Sequence, residues 1–173
     1  YYCFGCQAGG DAISFVRETE SLDFVGAIEW LADRFNVELE YEESSPQAEA
    51  QRHRRDRLFA LLDQAASFYE RVLWAESGTA VQEYLSSRGL EEEVCREFRL
   101  GLSPAGATLA KKAREKGFTE EELAGGGLVT RRGSDYFQRR LMFPLTDARG
   151  RIVGFQARKL HEDDPLRGKY VNS

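Results

Sequence analysis

Residues 140–158 read RLMFPLTDARGRIVGFQAR and contain two apolar runs separated by a short polar segment. The apolar runs predict one strand over Leu141 to Leu145 and a second over Ile152 to Phe155. Between them, Asp147-Ala148-Arg149-Gly150 has the composition of a tight turn. The stretch therefore predicts a hairpin of two antiparallel strands.

The residues before this hairpin are predicted to be mostly helical. Amphipathic spacing predicts a long helix over about Arg54 to Trp74. Four shorter helices are predicted at residues 79–88, 90–98, 107–116 and 119–124. The last of them has a Thr119–Glu122 capping box. Further short strands are predicted at residues 99–102, 128–130 and 136–137. Helices combined with antiparallel strands predict the α+β class.

The first 41 residues have a different signature. Cys3-Phe4-Gly5-Cys6 places two thiols at a Cys-x-x-Cys spacing, which can hold one side of a tetrahedral zinc ion. A redox pair and a chance occurrence have the same spacing, and from spacing alone both alternatives stay open. One helix capped by Asp11, a second helix starting at Ser21 or Asp23, and a short strand over residues 37–41 are predicted to follow.

A change in composition predicts the domain boundary. Residues 42–51 read EESSPQAEAQ, with Pro, Ser and acidic residues but no aromatic or branched aliphatic residue. We interpret residues 42–53 as a linker between one domain over residues 1–41 and a second over residues 54–173.

The charge distribution favours a local polyanion site over a uniformly basic surface. The net charge of the 173 residues is -5, yet residues 131–159 contain eight basic residues and two acidic ones. A local excess of this kind matters more for binding nucleic acid than the total. No apolar run approaches the roughly 18 residues of a membrane span, and no signal peptide is found. Three cysteines favour a reducing, cytoplasmic setting over a disulfide framework.

An ordered set of segments resembles bacterial DnaG-type DNA primases. CFGCQAGGDAISF at residues 3–15 and LDFVGAIEWLA at residues 22–32 resemble the second half of that family's zinc ribbon. YLSSRGL at residues 84–90 and FRLGLSP at residues 98–104 resemble the helical beginning of its RNA-synthesising domain. Segments at residues 135–145, 150–158 and 169–173 match in the same order, so the resemblance covers essentially the whole chain. The chain departs from the family at Leu102-Ser103, where the family commonly has an aromatic residue and Ala, and at Gln156-Ala157, where it commonly has two glycines.

The resemblance implies two binding sites. In the zinc ribbon, Cys3 and Cys6 would be the last two of four ligands, with a Cys and a His lying upstream of a cut end. Arg140, Arg158 and Lys169 would belong to a basic groove that holds the single-stranded template and the incoming nucleotide. From the residues alone, a solvated strand face with ordinary salt bridges remains the alternative for these three.

The resemblance also implies the activity of the parent protein. A DNA primase is a DNA-directed RNA polymerase that makes short RNA primers from ribonucleoside triphosphates, and its partner is the replicative helicase. Its two Mg²⁺ ions are held by a Glu and an Asp-x-Asp in a toprim fold that follows the segment matched by Lys169 to Ser173. We find no such acidic core here and predict that the fragment alone is inactive. The alternatives are a non-catalytic zinc-ribbon DNA-binding or replication module of phage or plasmid origin and, less favoured, a primase–helicase of phage type.

Other conspicuous residues are interpreted structurally. Cys95 is expected to be a small buried hydrophobe. Asp135 and Asp147 are expected to form ion pairs rather than a metal site. The run Arg52 to Arg55 is expected to be a solvated helix start. The aromatic residues at helical core spacing, Trp30, Phe35 and Trp74, are expected in the core. Less firmly assigned to the basic groove are Arg139, Arg149, Arg151 and Lys159.

Overall fold

The computed structural model of the protein describes residues 1–39, 45–166 and 168–173. It divides into two compact units, Tyr1–Glu49 and Ala50–Ser173. Helix α3 (Pro46–Leu73) crosses this boundary and begins eight residues before the predicted start at Arg54. The early start has a local cause, because proline suits the first position of a helix and the Ser45 hydroxyl accepts a hydrogen bond from the Ala48 N–H at 3.3 Å. The linker predicted at residues 42–53 is therefore helical from Pro46, and residues 42–44 lie outside the described ranges.

The first unit contains helices α1 (Ala12–Thr19) and α2 (Phe24–Phe35). α1 begins where the sequence predicts, and of the two starts predicted for α2, Asp23 is the one observed. The Asp11 carboxylate accepts a hydrogen bond from the Ser14 N–H at 2.7 Å, and the Asp23 carboxylate accepts one from the Gly26 N–H at 2.7 Å. Residues 37–39 are not a strand, and the rest of the strand predicted there lies outside the described residues.

Burial in the first unit falls on small side chains rather than on the large aromatics. Trp30 is half-buried, but Phe35 is 69% exposed, so its predicted place in the core is wrong. The buried residues of α1 and α2 are Val16, Gly26, Ala27 and Ala32. The other large apolar side chains exposed in this unit are Tyr1, Tyr2, Phe4, Phe15, Phe24, Val25 and Val37.

The helices of the second unit agree with the predictions to within one or two residues at most ends. After α3 and a short 3-10 turn at Glu76–Gly78, the helices are α4 (Thr79–Ser87), α5 (Glu92–Glu97), α6 (Thr108–Glu115) and α7 (Glu120–Gly125). The capping box of α7 is confirmed. The Glu122 N–H donates to Thr119 Oγ1 at 3.2 Å, and the Thr119 N–H donates to Glu122 Oε2 at 2.8 Å.

The strands form one antiparallel sheet in the order β1-β2-β3-β4. The predicted hairpin is confirmed, and at its turn Gly150 has a φ of +74° that suits glycine. β3 extends four residues beyond its predicted end, because β4 pairs with that extension. The strands predicted at residues 128–130 and 136–137 reduce to one bridge between Val129 and Asp135. The strand bounds are β1 Gly101–Leu102, β2 Arg140–Thr146, β3 Ile152–Lys159 and β4 Tyr170–Asn172.

The core of the second unit lies between α3 and the sheet. At Gly101 in β1 the backbones come so close that an added Cβ would lie 2.4 Å from the Cβ of Tyr69 in α3. Cys95 is buried, as predicted, and Trp74 is half-buried beneath the Arg96 guanidinium at 4.2 Å from the ring centroid. The predicted α+β class is confirmed. Fully buried side chains at the centre of this core include Leu61, Tyr69, Leu123, Leu128, Phe137, Met142 and Phe155.

Candidate nucleic-acid interface

A groove of about 560 Å³ lies at the end of the sheet where β3 finishes and β4 begins. One wall comes from α4, and the other comes from the end of β3 and the residues that follow it. The lining mixes apolar and basic side chains and contains one acidic residue. The residues that line it are Ala80, Val81, Tyr84, Arg158, Lys159, Leu160, His161, Glu162 and Lys169.

Arg158 is held in this groove by the register of the sheet and by α4. It lies opposite Leu141 of β2 and Tyr170 of β4, so these three side chains share one face of the sheet. Its Nη1 donates a hydrogen bond to the Tyr84 hydroxyl, and its guanidinium carbon lies 5.0 Å from the centroid of that ring. Arg158 is half-buried, which leaves part of the guanidinium accessible from the groove.

Tyr84 is a residue of the groove that the sequence analysis did not single out. The guanidinium of Arg88 lies 5.4 Å from its ring centroid, so two arginines approach one tyrosine. Such contacts are attractive because the face of the ring carries partial negative charge. The spacing of Tyr84 and Arg88, four residues apart along the helix, is the signal that could have found this pair.

Lys169 is the most accessible predicted cation of the groove. It is exposed and comes directly before β4. Its carbonyl accepts a hydrogen bond from the Lys159 N–H at 2.8 Å, and this bond ties the start of β4 to the end of β3. The Lys159 ammonium lies 3.1 Å from the Glu162 carboxylate, which partly neutralises it. Arg158 and Lys169, eleven residues apart in sequence, therefore line one groove.

Arg140, the third predicted phosphate ligand, is not brought into the groove. Its side chain has no exposed surface and lies beside Asp164, with Nε 2.7 Å from the carboxylate. Nη1 donates to the carbonyls of Ala157 at 3.2 Å and Gly168 at 3.1 Å, and Nη2 donates to the carbonyl of Leu166 at 2.7 Å. The guanidinium of Arg140 is covered by the chain, which argues against direct contact between Arg140 and phosphate.

The neighbouring charged residues are engaged in local structure. Asp147 pairs with Arg151 at 2.7 Å, as predicted. Although burial acts to raise it, hydrogen bonds from Arg151 hold the pKa of Asp147 below its ordinary value. Among the described residues, Asp135 forms no ion pair of the predicted kind. Its buried carboxylate accepts hydrogen bonds at 2.9 Å from the N–H groups of Leu109 and Ala110, at the start of α6. Burial raises its pKa despite these bonds.

The other candidate site is the Cys3–Cys6 knuckle in the first unit. The Gln7 N–H donates to the Cys3 carbonyl at 2.8 Å, which closes the turn. Backbone N–H groups of Cys6 and then Gly5 lower the pKa of the Cys3 thiol, and the Cys6 side chain adds to this effect. A thiolate stabilised in this way suits zinc. In the described ranges, no group of three or more His, Cys, Asp or Glu side chains could hold a metal ion. The described residues thus offer two ligands to zinc.

Comparison with known proteins identifies both units. A family described as the CHC2 zinc finger of DnaG matches residues 1–47, and a family described as the N-terminal domain of the DNA primase catalytic core matches residues 68–173. The DNA primase of Mycobacterium tuberculosis strain H37Rv is 38% identical over the whole chain. The chain spans only 28% of that relative's length.

Two solved structures give the same result. The zinc-binding and RNA polymerase domains of Aquifex aeolicus primase are 34% identical and match with a TM-score of 0.60, over 99% of this chain and 40% of theirs. A DnaG primase catalytic domain bound to single-stranded DNA is 37% identical, with a TM-score of 0.61, over 70% of this chain and 38% of that one. No helix in the described part of the chain is both long and apolar enough to cross a membrane. The chain therefore belongs to the bacterial DnaG-type DNA primase family.

Proposed function

We propose that this chain supplies the template-binding part of a DNA primase. Residues 1–41 would be the C-terminal half of its zinc ribbon, and residues 54–173 the N-terminal subdomain of its RNA polymerase domain. The observation that carries the proposal is the groove, in which β3 and the start of β4 place Arg158 and Lys169 on one surface. The relative bound to single-stranded DNA supports this choice of ligand.

The groove has the chemistry that a single-stranded nucleic acid requires. Arginine can bind two phosphate oxygens at once, and lysine supplies a mobile point charge. Arg158 is restrained by Tyr84, so its guanidinium is oriented before the template arrives. The apolar side chains of Ala80 and Val81 on the opposite wall offer a surface for the less polar parts of the nucleotides.

In the zinc ribbon, Cys3 and Cys6 would provide two of the four zinc ligands, with the other two coming from outside residues 1–173. A bound zinc ion would organise this knuckle and supply no chemistry to primer synthesis. Two ligands alone hold zinc weakly, so we expect residues 1–10 to gain order only when the remaining ligands are present.

Primer synthesis by the parent protein would take place in a part that these residues do not include. Two Mg²⁺ ions would stabilise the attacking hydroxyl and the leaving pyrophosphate there. Asp135 and Asp147 are engaged in a helix start and a turn, so they do not form an acidic metal centre. The ribonucleoside triphosphates, the RNA primer, the replicative helicase and the cytoplasmic setting belong to the proposal for the whole protein. Primer synthesis by the purified 173-residue chain would contradict the division of roles proposed here.

The competing reading, a non-catalytic DNA-binding module of phage or plasmid origin, is not favoured. The Mycobacterium tuberculosis relative that covers the chain end to end is a DNA primase, and both units match families of that protein. The groove is common to both readings, so the distinction depends on catalysis by the whole protein.

The groove is tested by the salt dependence of binding to labelled oligothymidylate. Each phosphate contact on a single strand contributes about 0.7 to the slope of log K against log salt. Arg158→Ala and Lys169→Ala should each lower that slope by about this amount and weaken binding about three- to fourfold at 0.15 M salt. Lys111→Ala, an exposed lysine on α6 outside the groove, is the control with the same change in charge. Slopes equal to that of the unmodified chain in both groove variants would refute the groove.

A further inference from the structure

The buried Arg140 side chain contacts the chain at the two places where the cations of the groove are anchored. Its Nη1 donates to the carbonyls of Ala157 and Gly168, and these residues come directly before Arg158 and Lys169. A single nitrogen therefore bridges β3 to the segment that leads into β4. A change at this point would alter the separation of the two cations.

Asp164 and Leu166, which follow β3, also contact the same guanidinium. The Asp164 side chain is 3% exposed and lies 2.7 Å from Arg140 Nε. Its other oxygen accepts a hydrogen bond from the Leu166 N–H at 2.8 Å, and the Leu166 carbonyl in turn accepts one from Arg140 Nη2 at 2.7 Å. Both ends of this small network thus return to Arg140.

We propose that Arg140 is a positioning residue of the template groove, acting through the backbone rather than by touching phosphate. It fixes the spacing of Arg158 and Lys169 so that both can contact phosphates of one strand. The planar guanidinium suits this task because it directs several N–H groups at fixed angles, whereas the ammonium of a lysine is a compact point charge. This inference rests on the proposed function of the groove.

Charge and geometry predict opposite results for Asp164→Asn. The substitution removes a negative charge near the groove, so electrostatics alone would tighten binding to DNA. If Arg140 positions the cations through its pairing with Asp164, the freed guanidinium shifts and binding weakens instead. Asp163→Asn is the matched control, since this neighbouring acid is 71% exposed and pairs with Arg139 at 2.9 Å outside the Arg140 network.

The measurement is the affinity of the 173-residue chain for labelled oligothymidylate between about 50 and 200 mM salt. We expect Asp164→Asn and Arg140→Lys each to bind about three- to fourfold more weakly at 0.15 M salt, with a slope smaller by about 0.7, the equivalent of one phosphate contact. Asp163→Asn should bind as tightly as the unmodified chain or more tightly. All assays are run at a temperature at which circular dichroism shows each variant to be folded.

The outcomes separate the inference from the proposal beneath it. Unmodified or tighter binding by Asp164→Asn would overturn the positioning role, and full binding by Arg140→Lys would show that charge at this site is sufficient. If the alanine variants at Arg158 and Lys169 lose affinity while these two variants do not, the groove stands and the positioning role fails. If a variant does not fold at any usable temperature, the other one still decides between positioning and charge.

Discussion

The stability of the second unit should depend on Arg140 more than on any exposed ion pair. Arg140→Met leaves the Asp164 carboxylate, 3% exposed, without its partner. Removing one member of a buried ion pair costs about 3–5 kcal/mol, whereas an exposed pair contributes about 0–1 kcal/mol. Three carbonyls, one in a buried hydrogen bond and two in partly buried ones, lose the bonds that Arg140 donates. A buried acceptor left unsatisfied costs about 1–3 kcal/mol, although the surrounding chain can relax and the terms do not add. We therefore expect a loss of about 3–5 kcal/mol in the free energy of unfolding.

A double variant separates the cost of the unpaired charge from the cost of the lost hydrogen bonds to the carbonyls. In Arg140→Met/Asp164→Leu no uncompensated charge remains, and replacing both members of such a pair is often close to neutral. Here the carbonyls of Ala157, Leu166 and Gly168 still lack the donors that Arg140 supplied. The double variant should accordingly regain part of the lost stability and remain at least about 1 kcal/mol less stable than the unmodified chain.

The assay is urea unfolding followed by tryptophan fluorescence. Trp30 lies in the first unit and Trp74 in the second, so a Trp30→Phe background reports the second unit alone. Equal m-values across the variants would show that the compactness of the end states is unchanged. A loss below about 1 kcal/mol in Arg140→Met would refute the reasoning, because it is what an exposed pair contributes. Full recovery in the double variant would show that the carbonyl contacts contribute nothing measurable.

Two further predictions concern the packing of α3 and the capping of α7. Gly101→Ala should destabilise the second unit by about 1–3 kcal/mol, since the added Cβ would lie 2.4 Å from the Cβ and 2.7 Å from the carbonyl carbon of Tyr69. Gly125→Ala is the control, because a Cβ added there meets no neighbouring atom within 4 Å. Its free energy of unfolding should stay within about 0.5 kcal/mol of the unmodified chain in the same assay. Hydrogen bonding to the Arg57 side chain is the main cause that lowers the pKa of Glu122 from 4.5 to about 2, and the capping hydrogen bonds add to it. The ionised Glu122 carboxylate therefore contributes its full stabilisation above about pH 4.5 and loses it as the pH falls towards 2. The difference in Tm between the unmodified chain and Glu122→Gln should shrink across that range. A constant difference would contradict the lowered pKa of Glu122.

Features set by neighbouring residues in sequence could be predicted, and those set by distant segments could not. The caps of α1 and α7 need only a side chain and the backbone N–H three residues later, so composition identifies them, and for α2 it narrows the choice to Ser21 or Asp23. β4 is three residues long and has no periodic pattern of its own, because its existence depends on pairing with β3. Asp135 was misassigned for a similar reason, since its partners on α6 lie more than 20 residues away.

The three predicted cations differ in exposure because of their positions in the sheet, not because of their residue type. β2 is paired on both sides, so Arg140 at its first position is enclosed by β3 and by the segment before β4. Lys169 precedes the edge strand and stays in solvent, and Arg158 lies between these extremes beside Tyr84. A buried basic residue in a central strand needs a partner for its charge and acceptors for its N–H groups. Asp164 pairs with the charge of Arg140, and three carbonyls accept hydrogen bonds from its Nη1 and Nη2. The same enclosure that keeps Arg140 from phosphate connects it to the backbone beside both accessible cations, which is why its loss should be measurable in DNA binding.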